Sequence, residues 1–307
     1  GDDAGHAAQL LHRLQSARSD IAGLALDRPR LMGVVNVTPD SFSDGGRYAD
    51  IDAAVAHGRL LRAQGADLVD IGVESTRPGA ARVPAGEELR RVLPVIRELA
   101  AAGVPMSIDT SRAAVAAEAL AAGVEVVNDV SGGLADPDMG RVVADAGCRW
   151  ILMHWRGPSQ GMMRLAEYGD VVADVRDELR QRVDDAMAAG VAADRVVIDP
   201  GIGFAKTSEH NLTLSAHLAD LVATGYPVLF GSSRKSYLGA LLADADGRPR
   251  PPEGRDAATV ATTVLALCAG VWGVRVHDVR STVDAVRVWR ATTAAGRATT
   301  AAPGGTR

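Results

Sequence analysis

Two cysteines, Cys148 and Cys268, are all that the 307-residue chain contains, and they sit far apart in apolar runs. A disulfide is therefore not expected, and each thiol reads as a small hydrophobe. Excess positive charge is also lacking: 33 Lys and Arg stand against 38 Asp and Glu, a formal net charge of −5. This excludes the broad basic footprint of a nucleic-acid or anionic-membrane binder, so any basic site must be local. No apolar run approaches the roughly 20 residues of a membrane span, and no charged-then-apolar leader with a cleavage site opens the sequence. A cytoplasmic protein that handles small molecules is the expectation. Metal-ligand spacings such as H-E-x-x-H and C-x-x-C are missing as well.

What is present centres on IDPGIGFAK, where an apolar run ends abruptly in Asp199, Pro200, two glycines and Lys206. This is the profile of a buried strand feeding an active-site loop. A buried carboxylate is costly without a partner, so Asp199 must face a ligand or a cation.

The pattern recurs along the chain. After a helical N-terminal extension over 1–29 and a first strand at 31–37, one theme repeats: an amphipathic helix, a small-residue turn, a short apolar strand, then polar residues. Gly65, Gly103, Gly123, Gly147, Gly190, Gly225 and Gly270 stand where a helix must end in a left-handed cap. The strands that follow them are expected at 68–72, 105–109, 124–129, 150–154, 196–200, 228–232 and 274–277. Strands apolar on both faces and alternating with helices imply a parallel sheet, and eight such units imply an α/β fold closed as a (β/α)8 TIM barrel over 30–290. A doubly wound open sheet is the alternative, weakened because no G-x-G-x-x-G follows the first strand. Residues 244–254 read as a polar surface loop, and 291–307 as a frayed, disordered tail.

In such a barrel the site is built from the C-terminal ends of the strands. Those ends carry Asn36, Asp70 with Glu74, Asp109, Asn128 with Asp129, Met153 with His154, Asp199, Ser233-Arg234-Lys235, and Arg275 with His277. Any one is explicable as a cap or turn residue, but nearly every strand ends this way. Asp109, Asn128 and Asp199 suit a flat nitrogen heterocycle with amino and ring N–H donors, and Lys235 adds a donor. Arg275, His277 and Asn36 lie on the first and last strands and suit a phosphate or pyrophosphate. The loops VTPDSFSDGG and VESTRPGA read as lids over a second pocket.

LMGVVNVTPDSFSDGG, DIGVESTRPGA, SIDT, NDVSGG, ILMHWRG, IDPGIGFAKT, GSSRKSYLG and GVRVHDV, in this order and spacing, resemble dihydropteroate synthase of folate biosynthesis. The resemblance implies a transferase that joins 4-aminobenzoate to 6-hydroxymethyl-7,8-dihydropterin pyrophosphate. It implies pterin-binding roles for Asp109, Asn128, Val130, Met153, Asp199, Phe204, Gly231 and Lys235. It also implies a pyrophosphate site at Asn36, Arg275 and His277, with Mg²⁺ near Asn36 and Asp44. Phe42, Thr76, Arg77, Pro78 and Ser236 match the positions that enclose aminobenzoate. Asp109, Asp199, Lys235, Arg275 and His277 are then the catalytic set, and a homodimer packed through late helices is implied. Val73 stands where the family usually has Gly, which implies a lost positive-φ conformation in the second loop. A non-catalytic pterin-binding homologue is the main alternative, and it would be expected to lack one of Asn36, Lys235, Arg275 or the TRP triplet, all present here. A pterin-dependent methyltransferase is disfavoured by SRK and RVH. His57, His210, His217, His6 and His12 read as surface residues.

Overall fold

The computed structural model describes residues 28–37, 46–73, 83–158 and 161–300. Its strands are β1 (Arg30–Asn36), β2 (Leu68–Gly72), β3 (Met106–Asp109), β4 (Val126–Asp129), β5 (Arg149–Met153), β6 (Val196–Asp199), β7 (Leu229–Phe230) and β8 (Gly273–Val276). The helices between and after them are α1 (Gly46–Gln64), α2 (Ala85–Ala101), α3 (Ala113–Ala121), α4 (Met139–Ala146) and α5 (Val171–Ala188). They continue with α6 (Ser208–Ala216), α7 (Leu218–Val222), α8 (Ser236–Leu241), α9 (Asp256–Cys268) and α10 (Val279–Thr300). Each expected strand is found, with ends shifted by a residue or two.

All neighbours pair parallel, in the order β6-β5-β4-β3-β2-β1-β8-β7. At the seam between β6 and β7, Ile198 and Val228 form a parallel bridge, and the Ile198 N–H donates to the Pro227 carbonyl at 2.9 Å. That contact completes the TIM barrel. The seven helix-ending glycines have φ between +59° and +111°, as a left-handed stop requires.

Side-chain alternation along the strands separates two apolar layers. Leu31, Val69, Ile71, Ile108, Val127, Leu152, Ile198, Phe230 and Val274 join Leu61, Ile96, Leu99, Leu179 and Leu267 of the helices in one core. Met32, Leu68, Val126, Ile151, Val197 and Leu229 form a separate cluster with Trp272, the floor of the barrel. Burying each such aliphatic side chain contributes roughly 1.5–3 kcal/mol. Two residues further along the same faces come Asp70, Asn128, Met153, Asp199 and Gly231, so a polar layer lies directly above an apolar floor.

Two expectations need correction. The chain does not fray at 291: α10 runs on to Thr300, continuing a helix that Val279, Val286 and Trp289 anchor to the core. Cys268, at the last turn of α9, is exposed rather than packed, whereas Cys148 is half-buried; both are free thiols. The 244–254 stretch is an exposed loop, as expected. The N-terminal extension up to residue 27 and residues 301–307 lie outside the described residues. Among the described residues no helix is long and apolar enough to cross a membrane.

Candidate active site

The polar layer opens into a cavity at the C-terminal ends of the strands. It is lined by Asp109, Asn128, Val130, Met153, Asp199, Phe204, Gly231, Ser233, Lys235, Arg275 and His277. Gly231 belongs in this wall for a spatial reason: a Cβ there would project between the Arg275 Cβ at 3.8 Å and Asp199 Oδ2 at 3.9 Å. Met153 and Phe204 pack with Met162, Ala205 and Val130 in a small apolar cluster, giving the pocket one greasy side.

The opposite side is a network of charges. Arg275 donates from Nε to Asp70 Oδ2 at 2.6 Å and from Nη2 to Asp109 Oδ2 at 2.8 Å. Asp70, with no exposed surface, also accepts from Ser107 Oγ at 2.5 Å and from Asn128 Nδ2 at 3.0 Å. One buried carboxylate therefore fixes Arg275 and Asn128 together. Because its Nδ2 is engaged with Asp70, Asn128 can turn its amide oxygen to a ligand donor.

Burial raises the Asp199 carboxyl above its ordinary range, opposed by Lys235, by the Gly201 N–H and by Arg275. The Gly201 bond to Asp199 Oδ1 is 2.7 Å long. Burial also lowers the Lys235 ammonium to about 8, with Asp199 pulling the other way. In this state Lys235 Nζ donates to the Ile202 carbonyl and lies 4.6 Å from the Phe204 ring centroid. His277 is pushed down to about 4 by burial, Arg275 and Arg234, so its imidazole is neutral at pH 7. Ser233 Oγ sits 2.9 Å from His277 Nδ1 and accepts from the His277 backbone N–H at 3.2 Å. The Ser233 hydroxyl can donate its hydrogen bond to Nδ1, an arrangement that leaves Nε2–H free to act as a donor. The carboxylates of Asp109 and Asp199, the Asn128 amide and the basic side chains of Lys235, Arg275 and His277 thus line one cavity.

A model of the pterin binding enzyme family matches residues 32–277. The dihydropteroate synthase of Mycobacterium leprae (strain TN) is 56% identical over 266 residues, 86% of this chain and 94% of that protein. The chain belongs to the dihydropteroate synthase family. Among solved structures, the Xanthomonas albilineans dihydropteroate synthase with 4-aminobenzoic acid superposes with a TM-score of 0.82 at 49% identity, covering 91% of this chain and 99% of that one. The same enzyme in complex with 7,8-dihydropteroate gives 0.78 at 47% identity, covering 90% and 99%.

Against the family expectation, all eight positions assigned to the pterin line the one cavity, together with Arg275 and His277. Asn36 does not: it is exposed at the end of β1, outside that lining. Ser236 is exposed at the first residue of α8, beside rather than within the cavity. Phe42, Asp44, Glu74, Thr76, Arg77 and Pro78 lie outside the described residues. Val73 is buried in the core and is not among the residues at positive φ, so the left-handed conformation that a glycine could take there is not adopted. Asp129 braces the loop after β4, accepting from Ser131 N and Gly133 N at 2.8 Å each. His57 and His217 are exposed, and His210 caps α6 with Thr207.

Asp70 and Ser233 were among the strand-end residues read from the sequence, but neither was given a role there. The signal for Asp70 was present, an acid inside the otherwise apolar run LVDIG; what was missing was its partner 205 positions away.

Proposed function

We propose that this chain condenses 6-hydroxymethyl-7,8-dihydropterin pyrophosphate with 4-aminobenzoate, releasing pyrophosphate and forming 7,8-dihydropteroate. The observation that carries it is the joining of Asp109, Asn128, Asp199 and Lys235 to Arg275 and His277 in a single cavity. Carboxylates match the ring N–H and amino donors of a pterin, and Lys235 supplies the donor for a ring acceptor. Arg275 and the Nε2–H of His277 would take up the charge on the departing pyrophosphate as the methylene C–O bond breaks. The positive charge left on the pterin methylene is stabilised through the ring by Asp109 and Asp199. The aryl amine nitrogen then forms the new C–N bond and releases its proton to solvent, and its weak basicity leaves it unprotonated, so no general base is needed.

Asn36 presents a hard oxygen donor in the open mouth of the barrel, which fits Mg²⁺, and Asp44 of the first loop would join it. Among the described residues no group of three or more His, Cys, Asp or Glu side chains forms a metal cage, so most ligands would come from pyrophosphate oxygens and water. When bound, the ion would supply charge neutralisation on the pyrophosphate. Phe42, Thr76, Arg77, Pro78 and Ser236 would enclose the aminobenzoate. A homodimer in the cytoplasm is part of the reading, supported by exposed Leu265 on α9 and Val288 on α10, apolar surface that a second copy would cover.

The deciding experiment is condensation of the pterin pyrophosphate with labelled aminobenzoate in Mg²⁺, with Lys235→Ala as control. Labelled dihydropteroate that disappears in the control supports the synthase. Pterin binding without product makes the chain a non-catalytic homologue.

A further inference from the structure

The loop between β6 and α6 forms one wall of the cavity but has no strand or helix to hold its shape. Residues 201–205 alternate into the left-handed region at Gly201 (φ +66°), Gly203 (φ +82°) and Ala205 (φ +47°). Apart from the Phe204 N–H, which donates to the Gly201 carbonyl at 3.0 Å, the bonds that hold this stretch come from side chains. Tyr168 donates its hydroxyl to the Ala205 carbonyl at 3.0 Å, and the Gly203 N–H donates to Asn211 Oδ1 at 2.7 Å. The Gly201 and Phe204 carbonyls both accept from Lys206 Nζ, at 3.0 Å each.

Lys206 is itself buried, at 3% exposure, and its third contact is His154 Nδ1 at 2.9 Å. Glu178, brought down to about 2 against burial by its bonds with His154 and Arg156, is a carboxylate that only accepts, so His154 Nε2 carries the hydrogen and donates to its Oε2 at 2.9 Å. In a neutral ring Nδ1 is then an acceptor, and three acceptors around Lys206 Nζ call for the three N–H donors of the ammonium. Burial and the Lys206 charge push His154 down to about 4, which agrees with a neutral ring. Burial and Lys235 pull Lys206 well below an ordinary lysine, while Asp199 opposes them, so the ammonium depends on its three acceptors. A buried ammonium is costly compared with an apolar residue of the same length, so filling space does not account for it.

We propose that Lys206 is a positioning residue for the pterin pocket: an internal cation, held by His154 and Glu178, around which the loop after β6 is wound. The consequences run through named contacts. Lys206 fixes Gly201, whose N–H orients the Asp199 carboxylate, and it fixes Phe204, whose ring forms the apolar wall. Gly201 passes so close to the His154 backbone that a Cβ there would overlap the His154 carbonyl oxygen, so only glycine fits this contact. The inference rests on the pterin reading of the cavity.

The test compares Lys206→Met, His154→Leu and His154→Asn with wild type, measuring the Kd for the pterin pyrophosphate by calorimetry, the KM for aminobenzoate at saturating pterin, and thermal melting. Lys206→Met and His154→Leu are expected to weaken pterin binding by about thirtyfold, with aminobenzoate KM changed less than about threefold, the loss of charged hydrogen bonds on one side of the site. His154→Asn, which keeps an acceptor near the Nδ1 position, is expected to restore most of the affinity. A purely structural lysine would lower melting without separating the two substrates, and that result overturns the proposal. If Lys206→Met does not fold, the His154 pair decides: equal pterin affinity in the Leu and Asn variants overturns it. Wild type that fails to bind the pterin overturns the functional reading and this inference with it, whereas wild type that binds while all three variants bind equally overturns the inference alone.

Discussion

Arg275 on β8 donates to Asp70 on β2 across the barrel interior, Nε to Oδ2 at 2.6 Å, with the carboxylate wholly buried. Neither strand pairs with the other, since β1 lies between them. Removing one member of such a pair strands the other charge. Asp70→Ala is expected to destabilise the protein by about 3–5 kcal/mol, read as a lower urea midpoint. Asp70→Asn, which still accepts from Ser107, should fold better yet bind the pterin pyrophosphate more weakly, because Arg275 loses one of its two anchors.

Lys235 makes the alkaline behaviour predictable. Its proton is lost above about pH 8, the value to which burial lowers it. The kcat/KM for the pterin pyrophosphate should fall through an apparent pKa near 8, while kcat/KM in Lys235→Arg, whatever its absolute size, should show no limb there because guanidinium stays charged. A wild-type profile flat to pH 10 would remove Lys235 from the binding step.

His277 gives a stability signature on the acid side. Its folded value of about 4 lies below the ordinary 6.5, so between these limits the unfolded chain binds a proton that the folded chain refuses. The contribution is fully present above pH 6.5 and is lost as pH falls to 4. Relative to His277→Asn, wild type should lose up to about 3 kcal/mol across that window, less with solvent screening at this half-buried ring. Urea midpoints of both proteins at pH 7 and pH 4.5 measure it.

Gly231 separates folding from binding. Its site leaves room for a Cβ, with the nearest atoms at 3.8 and 3.9 Å, but the added atoms of a larger side chain point into the cavity. Gly231→Val should melt within a few degrees of wild type and weaken pterin binding by at least about tenfold, a steric loss of more than about 1.4 kcal/mol. A matching loss of stability would show that the backbone, rather than the cavity, rejects the side chain.

Much of the site was legible from strand ends alone. Asp109, Asn128, Met153, Asp199, Arg275 and His277 occupy inward positions because a two-residue period puts them there, and sequence displays that period directly, whereas Gly231 was expected only from the family resemblance. Asn36 shares the strand-end signal yet stands outside the lining, because its exposure depends on how β1 leaves the mouth.

By itself the sequence determined the barrel, since eight apolar strands, their intervening amphipathic helices and their glycine stops are all local patterns. It also determined which residue types reach the mouth. Only the tertiary structure decided their partners. Asp70 meets Arg275, Glu178 meets His154, and His154 meets Lys206 because ring closure and helix packing bring positions 205, 24 and 52 apart into contact. Those pairings follow from the geometry of the closed sheet, to which no local period in the chain refers.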